Sequence, residues 1–375
     1  MKVATTTLLF CVAALLSLGM VMLYSSSTAQ VGAHYLMMQL VWCALGLVGA
    51  TIAATLDYRL LKKISWPLLA LAVVLLLLVF IPPVGIKVKG AHRWIGHGGI
   101  RFQSSELAKI ALMVFIAWYA ERFQRHMGTF GRGLMIPGIV ICLVLGLIFI
   151  EPDRGCTILL AAVSFSMLII AGVRFKFIIP PAILAVCALA ISFWHDPMRM
   201  KRILAWLHPE ANKEGVGWQA YQAMIALGSG GWTGLGLGNG RQKLGFIPEH
   251  HTDFIFSIIG EELGLIATIA VVIVFIVLVI CGIYISSRAR DPFGLLLGSG
   301  ITFMIGLQAL INIGVVTSTL PNKGMPLPFI SYGGSNLLVM LVSVGILLSI
   351  ARQGLELSRK RPNPFEDEIP SQQLT

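Results

Sequence analysis

Residues 263–285 read LGLIATIAVVIVFIVLVICGIYI, a run of 23 residues with no charged side chain. A helix needs about 20 predominantly apolar residues to cross a hydrocarbon core of about 30 Å. The runs Ile64–Ile81 and Leu134–Ile150 have the same character. A buried helix of a soluble protein explains one such run but not a series, so the runs predict membrane-spanning helices.

The composition supports this interpretation over the whole chain. Of the 375 residues, 57% are hydrophobic and 12% are charged, and the mean hydropathy is +0.84. These values exclude a soluble globular domain. The six cysteines fall within or beside apolar runs and form no CxxC pair, so neither a disulfide framework nor a zinc site is expected.

Hydropathy along the chain predicts an all-α integral membrane protein with about ten transmembrane helices. The predicted spans are 7–24, 35–56, 64–81, 104–120, 134–150, 156–172, 177–194, 254–284, 295–316 and 330–351. The first span follows Lys2 as a secretory signal would, but a second span follows closely, so a cleaved signal is not expected.

Basic residues orient the predicted bundle. Short loops on one side carry ten Lys and Arg side chains, and the first loop on the other side has none, which predicts cytoplasmic N- and C-termini. Residues 1–352 are then a ten-span domain with one long extracytoplasmic loop at 195–252, and residues 353–375 are predicted to be a disordered cytoplasmic tail. The net charge of +11 follows from this bias, so nucleic-acid binding is not expected.

A second set of basic residues falls on the predicted external side, against the rule. They are Lys87, Lys89, Arg93, Arg101, Arg199, Lys201, Arg202, Arg241 and Lys243. Basic side chains at an external membrane surface suit an anionic lipid head group, such as phosphate or pyrophosphate. Loop solubility and contact with the lipid surface remain the alternative for the set.

Charged residues at the mouths of spans are costly and are therefore functional candidates. Glu106 and Lys109 lie three residues apart at the start of span four, where they can pair. A structural ion pair is the alternative to a binding role. Asp153 follows Glu151 and Pro152 in a charged turn that can bind a cation or a phosphate, or can be an ordinary turn with a local ion pair.

The long loop holds the strongest candidate for a catalytic residue. Asp253 precedes span eight at the membrane boundary, where partial desolvation tends to raise a carboxyl pKa toward a value useful for a general base. Asp before an apolar helix is also a common N-cap, and the two roles are compatible. Adjacent His250 and His251 do not share a helix face, so a metal site there is not expected.

Two segments rich in glycine or proline flank this candidate. Residues 226–240 contain glycine spacings that resemble a nucleotide-binding loop, but no flanking βαβ pattern accompanies them, so close approach of the backbone to backbone or to a ligand is the preferred interpretation. Residues 320–336 contain three prolines and three glycines, which predict a fixed external hairpin, partly re-entrant and lining a polar cavity.

Several motifs resemble the SEDS family of bacterial shape, elongation, division and sporulation proteins from the first span to the last. They are Arg93-Trp94, Arg101…Glu106…Lys109, Glu151-Pro-Asp153, Pro248-Glu249-His-His-Thr-Asp253-Phe-Ile-Phe, Glu261-Glu262-Leu-Gly and Pro328-Phe-Ile-Ser331-Tyr-Gly-Gly-Ser335. Leu320-Pro-Asn-Lys323-Gly is more similar to the division members of this family than to the elongation members.

The resemblance implies peptidoglycan glycosyltransfer. In this interpretation lipid II is polymerised into β-1,4 glycan at the outer face of the bacterial cytoplasmic membrane during septal wall synthesis, with a class B penicillin-binding protein and other division proteins as partners. Asp253 would be the general base of an inverting transfer. Arg101 and Lys109 would act on the pyrophosphate directly or through a divalent cation such as Mg²⁺ or Mn²⁺, the one cofactor under consideration. The further expected substrate-binding residues are Arg93, Trp94, Glu106, Asp153, Glu249, Lys323, Ser331 and Ser335.

The sequence departs from the family pattern at three positions. Ser104 stands where proline is usual, Arg154 where an apolar residue often follows Pro-Asp, and Gly245 where some division members carry an acidic residue. The last departure puts a second carboxylate at that position in doubt, and Glu249 is the nearest substitute. A lipid II flippase, a scaffold that positions the crosslinking enzyme, and a polymerase of the elongation machinery remain the alternatives.

Overall fold

The computed structural model describes residues 1–27, 32, 34–81, 85–88, 91–97, 100–208, 213 and 215–360. The helices are α1 (Lys2–Ser27), α2 (His34–Thr55), α3 (Leu60–Lys63), α4 (Ser65–Leu78), α5 (Ser104–Arg122), α6 (Ile136–Ile150), α7 (Arg154–Ile170), α8 (Phe175–Trp194), α9 (Pro197–Leu207), α10 (Trp218–Ser229), α11 (Ile255–Ser287), α12 (Pro292–Val316) and α13 (Gly334–Lys360). The strands are β1 (Gly85–Val88), β2 (Ala91–His97) and β3 (Ile100–Gln103).

The predicted class of membrane protein is confirmed. Seven helices among the described residues are long and apolar enough to cross a membrane: α1, α2, α6 with the turn before it, α8, α11, α12 and α13. The other three predicted spans, 64–81, 104–120 and 156–172, coincide with α4, α5 and α7. Of these, α4 and α7 are shorter apolar helices, and α5 carries four charged residues. The count of ten spans and the orientation of the termini therefore stay predictions.

Helix α5 lies at the centre of the bundle and is buried along nearly its whole length. It packs against α4, α7 and α12, and α13 packs along α2. Small residues bring α2 and α13 together: a Cβ atom on Gly345 would meet the backbone of Ala50. Close approach through small residues gives membrane helices their van der Waals contact, because lipid offers no hydrophobic driving force between helices.

Helix α11 is interrupted where the glycine-rich segment passes it. Gly264 has a φ of 78°, outside the helical region, so two helices meet at a kink. The amides of Leu235 and Gly236 donate to the carbonyl oxygens of Glu261 and Glu262 at 2.9 and 3.0 Å. A Cβ atom at Gly234 would clash with the carbonyl oxygen of Glu262. The glycines therefore let backbone approach backbone, as predicted, and satisfy peptide groups that the kink exposes.

Three segments differ from the predicted organisation. Between predicted spans three and four, the strands β1, β2 and β3 form an antiparallel sheet in the order β1-β2-β3. The long loop 195–252 contains α9 and α10. Helix α13 continues to Lys360, past the boundary predicted at 352. The remainder of the predicted tail, residues 361–375, lies outside the described residues.

Candidate functional site

Asp253 lies in a tight turn directly before α11. The carbonyl oxygen of Glu249 accepts the amides of Thr252 and Phe254, both at 3.2 Å, and the Glu249 carboxylate accepts the Thr252 hydroxyl at 3.0 Å. The N-cap position of α11 is Phe254, with no side-chain capping bond. The expected capping role of Asp253 is therefore wrong, because the helix begins one residue too late for it. Its half-buried side chain is left for other contacts.

Residues 320–333, which we call the proline loop, pass beside Asp253. A Cβ atom built on Gly324 would lie 2.5 Å from Asp253 Oδ2, so the carboxylate rests against the backbone of this glycine. The side-chain amide of Asn312 donates to the carbonyl oxygens of Met325, at 2.6 Å, and Asp253, at 2.8 Å. One α12 side chain therefore holds both halves of the contact in register.

Other buried polar groups fix the proline loop inside the bundle. Gln308 donates to the carbonyl oxygen of Pro326 at 2.9 Å, and Gln39 of α2 donates to that of Ser331 at 3.1 Å. The Ser331 hydroxyl accepts the Leu327 amide at 2.8 Å. Since Ser331 and Ser335 are both buried, their positions support a structural role, and their expected contact with substrate stays a prediction. The irregular backbone expected here is confirmed.

Glu106 and Lys109 form a buried ion pair of 2.8 Å. The Asn336 amide donates to both Glu106 oxygens at 3.2 Å, and the Lys109 ammonium donates to Gln308 Oε1 at 3.2 Å. The pair therefore joins α5 to α12 and α13. Burial of both partners is tolerated because each charge has an opposite charge and further hydrogen bonds. This geometry supports the structural alternative, and contact of Lys109 with pyrophosphate stays a prediction.

The charged turn between α6 and α7 is held from the sheet. Arg93 of β2 donates to the carbonyl oxygens of Glu151, at 3.1 Å, and Pro152, at 2.6 Å. Gln103 donates to Asp153 Oδ2 at 2.8 Å, and the other Asp153 oxygen caps α7. Trp94 pairs with Gln103 in the β2–β3 register. The sheet thus holds the turn through Arg93 and Gln103, and the expected contact of Arg93, Trp94 and Asp153 with substrate stays a prediction.

Glu151 is fully buried beneath this turn. Burial raises its pKa to about 8, although the hydrogen bond from Ser104 and the positive charge of Arg93 both act to lower it. The Ser104 hydroxyl lies 3.1 Å from Glu151 Oε1. Serine at this position, a departure from the family pattern, therefore gives the buried carboxyl a donor that proline lacks.

Lys323 connects the proline loop to the same turn. Its ammonium donates to the carbonyl oxygen of Arg154 at 3.0 Å. Burial lowers its pKa to about 8, and the nearby negative charge of Asp153 opposes that shift. Gly324, which follows Lys323, is the residue that touches Asp253. Asp153, Lys323 and Asp253, far apart in sequence, therefore meet at one end of the bundle, which we call the Asp253 end.

Arg101 is exposed in β3 at the Asp253 end. Its positive charge acts on Tyr332 of the proline loop, where it opposes the rise in the Tyr332 pKa that burial causes. Arg101 is therefore open to solvent, whereas Lys109 is buried in the bundle. The joint action of Arg101 and Lys109 on pyrophosphate stays a prediction.

One residue of the external basic set does not face a head group. Lys243 is buried and bonds Glu262 Oε1 at 2.6 Å and Ser25 Oγ at 3.0 Å. The expectation for Lys243 is wrong because Glu262, also buried, requires an opposite charge. Lys201, Arg202 and Arg241 are exposed. For the rest of the set, Arg199 pairs with Asp196 at 3.0 Å, the side chain of Lys87 is not described, and Lys89 lies outside the described residues.

The adjacent histidines have structural contacts. His250 is buried, with its ring nitrogens 2.8 Å and 3.2 Å from the carbonyl oxygens of Ile247 and Ser26. His251 stacks on Tyr35 at 4.5 Å between ring centroids. In the part of the chain that the structure describes, no three His, Cys, Asp or Glu side chains form a group able to hold a metal ion.

Sequence reasoning missed the amides that assemble the site. Gln39, Gln308 and Asn312 lie within apolar helices, and each binds a carbonyl oxygen in or beside the proline loop. A polar amide inside a membrane span needs a partner, so their position in spans two and nine was a usable signal.

Comparisons with known proteins agree over most of the chain. The model of a family described as cell cycle protein, covering FtsW, RodA and SpoVE, matches residues 6–355. The "Probable peptidoglycan glycosyltransferase FtsW" of Trichlorobacter lovleyi is 43% identical over 357 residues, which are 94% of this chain and 93% of that protein. The protein of the same name from Coxiella burnetii is 36% identical over 353 residues, 92% of this chain and 95% of that one.

Solved structures share the fold. A chain from a study of "Structural coordination of polymerization and crosslinking by a peptidoglycan synthase complex" superposes with a TM-score of 0.78 at 26% identity, covering 92% of this chain and 97% of that one. The rod shape determining protein RodA of Thermus thermophilus superposes with a TM-score of 0.68 at 26% identity, covering 92% and 96%.

Proposed function

This chain belongs to the FtsW/RodA/SpoVE family of cell cycle proteins, and we propose that it is a peptidoglycan glycosyltransferase that polymerises lipid II into β-1,4 glycan. The observation that carries the proposal is the contact of the Asp253 carboxylate with Gly324, beside Lys323. This arrangement offers a base and a cation at the level where a span meets the aqueous phase. Both are needed when a sugar hydroxyl attacks a lipid-linked pyrophosphoryl sugar.

In the proposed reaction Asp253 takes the proton from the 4-hydroxyl of the acceptor GlcNAc. The hydroxyl oxygen forms a bond to the anomeric carbon of the donor MurNAc as the bond from that carbon to the pyrophosphate oxygen breaks, with inversion. The electron pair leaves on undecaprenyl pyrophosphate. Asp253 is suited to the first step because its backbone is fixed by Asn312 and its carboxylate by Gly324.

Lys323 is the cation nearest in sequence to the Gly324 contact, and we assign it to the leaving group. An ammonium with a pKa of about 8 is still mostly charged at neutral pH. A partly buried positive charge stabilises the developing pyrophosphate more than an exposed one, because water screens it less. The exposed Arg101 is assigned to the outer phosphate or to the incoming head group. No step is assigned to a metal ion.

The test compares the purified wild type with Asp253→Ala and Asp253→Asn on lipid II, in the presence of its penicillin-binding partner. Asp196→Asn is the control, since it removes a carboxylate that caps α9 and pairs with Arg199, neither of which is assigned to the reaction. We expect glycan polymer from the wild type and the control and none from the two Asp253 variants. Polymer from Asp253→Asn at the control rate would refute the base. Movement of lipid II across sealed vesicles without polymer would instead favour a flippase.

The proposal extends to a partner and a place in the cell. The structural neighbour from a peptidoglycan synthase complex supports a class B penicillin-binding protein as the partner, and the FtsW names of the relatives support septal synthesis. A fluorescent fusion in the source organism should gather at midcell. A signal spread along the side wall would point to the elongation machinery.

A further inference from the structure

Helix α9 has an amphipathic sequence, PMRMKRILAWL, over eleven residues. It begins three residues after α8 ends at Trp194. The Asp196 carboxylate accepts the amides of Met198 and Arg199 at 3.1 and 3.4 Å and so caps the helix. An N-cap of this kind fixes where the helix starts and stabilises it by roughly 1 kcal/mol. Helix α9 is therefore a defined element of the long loop.

Both ends of α9 are tied to the ends of candidate spans. Its start follows the end of α8 directly, and near its end the Trp206 indole donates to the carbonyl oxygen of Ser318 at 2.8 Å. Ser318 lies two residues past the end of α12. The ends of α8 and α12 both lie at the Asp253 end. The Arg154 side chain donates to the carbonyl oxygen of Ser192 in α8, and the Arg154 carbonyl oxygen accepts from Lys323 of the proline loop. A helix of about 16 Å tied at this level at both ends runs across this end of the bundle.

One face of α9 is apolar and only partly covered by the rest of the described chain: Met200 and Ile203 are half-buried, whereas Leu204 and Leu207 are exposed. At 100° per residue, the residues Met200, Ile203, Leu204 and Leu207 form one stripe. Leu204 is 46% exposed and Leu207 is 55% exposed. The protein side of the helix is elsewhere, because Ala205 is buried and packs with Trp206 towards α10.

We propose that α9 is an interfacial helix that inserts this stripe into the phospholipid leaflet at the Asp253 end, with Lys201 beside lipid phosphates. The stripe continues the lipid-exposed surface of α8, in which Ile178 is the only buried residue among those described. At the junction Trp194 is 76% exposed, as suits an interfacial aromatic residue. Lys201 is exposed near the edge of the stripe and complements anionic phosphate, whereas Arg202 lies on the side of the helix that faces α10.

The test is a photo-crosslinking experiment on the full chain in nanodiscs of equal parts phosphatidylglycerol and phosphatidylcholine. Leu207→p-benzoylphenylalanine probes the stripe. Met198→p-benzoylphenylalanine is the matched control, since Met198 is 63% exposed but lies half a turn away on the helix. Leu184→p-benzoylphenylalanine, on the exposed surface of α8, reports that photolysis reaches lipid. Mass spectrometry of the peptides measures the phospholipid adducts.

We expect lipid adducts at positions 207 and 184 and few at 198, with phosphatidylglycerol enriched at 207. Lys201→Gln should lower that enrichment by up to roughly fivefold and leave the adducts themselves. Adducts at 184 but not at 207, or equal adducts at 207 and 198, would overturn the inserted stripe. Equal amounts of the two lipids at 207 would overturn the phosphate contacts. A protein crosslink at 207 in cells, in place of lipid, would identify the face as a protein interface.

Discussion

The contact between Gly324 and Asp253 leads to a sharp prediction for Gly324→Ala. The new methyl group would lie 2.5 Å from Asp253 Oδ2, where ordinary contact begins near 3.4 Å, so the carboxylate must move by about 0.9 Å. The atom it meets is the end of a side chain that can turn, so the protein should still fold. A displacement of roughly 1 Å in a reacting group costs about 100-fold in rate, or about 2.7 kcal/mol of transition-state stabilisation.

The assay is polymer formation from lipid II by purified protein with its partner, accompanied by thermal unfolding in the same detergent. Gly333→Ala is the matched control from the same loop, because its methyl group would meet its nearest neighbours at 3.7 and 4.0 Å. We expect Gly333→Ala to polymerise at nearly the wild-type rate and Gly324→Ala about 100 times more slowly, with both unfolding near the wild-type temperature. Wild-type activity in Gly324→Ala would refute the idea that this contact orients the base. Loss of its thermal transition would assign the contact to folding.

Three further predictions concern buried charge. Lys243→Met leaves the Glu262 carboxylate buried without its cation, so it should destabilise the protein by about 3–5 kcal/mol. The double variant Lys243→Met with Glu262→Gln should unfold at a higher temperature than Lys243→Met alone. An equal unfolding temperature would contradict the pairing. The folded state holds a proton on Glu151 up to a pH of about 8, whereas the unfolded chain loses it near its ordinary pKa. The free energy of unfolding should therefore fall as pH rises between these values. In Glu151→Gln the thermal unfolding temperature should depend less on pH. The same pH dependence in both proteins would contradict a neutral Glu151. If the Lys323 ammonium stabilises the leaving group, the polymerisation rate should decline as pH rises through the Lys323 pKa of about 8. Lys323→Arg should move that decline to higher pH. The same pH profile in both proteins would exclude Lys323 as the group whose deprotonation causes the decline.

The sequence motifs identified many residues of the candidate site, but they did not predict which of those residues lie close together. Asp253 and Asp153 were identified from their place at the mouths of spans, which is a local property. The contact of Asp253 with Gly324, and the link from Lys323 to the carbonyl of Arg154, join segments that lie far apart in the chain. No periodicity encodes such contacts, because they depend on which helices are neighbours.

The buried ion pairs illustrate the same limit. Glu106 and Lys109 were predicted to pair because three residues separate them on one helix, and they do. Lys243 was expected to face a head group, yet its partner is Glu262, which lies beside the kink in α11. A basic residue in a polar loop has the same sequence signature whether it is solvated or buried, so only the fold distinguishes the two.

The sequence by itself determined that this chain is a helical membrane protein, because the length of an uncharged apolar run is set by the thickness of the bilayer. It also indicated the SEDS motifs and the acidic residue before span eight. Only the tertiary structure decided that Asp253 is no helix cap, that Lys109 points into the bundle, and that the glycine-rich segment pairs with the break in α11. These outcomes depend on burial and on partners distant in sequence, since a charge or a peptide group in the membrane must find its partner wherever the packing brings one.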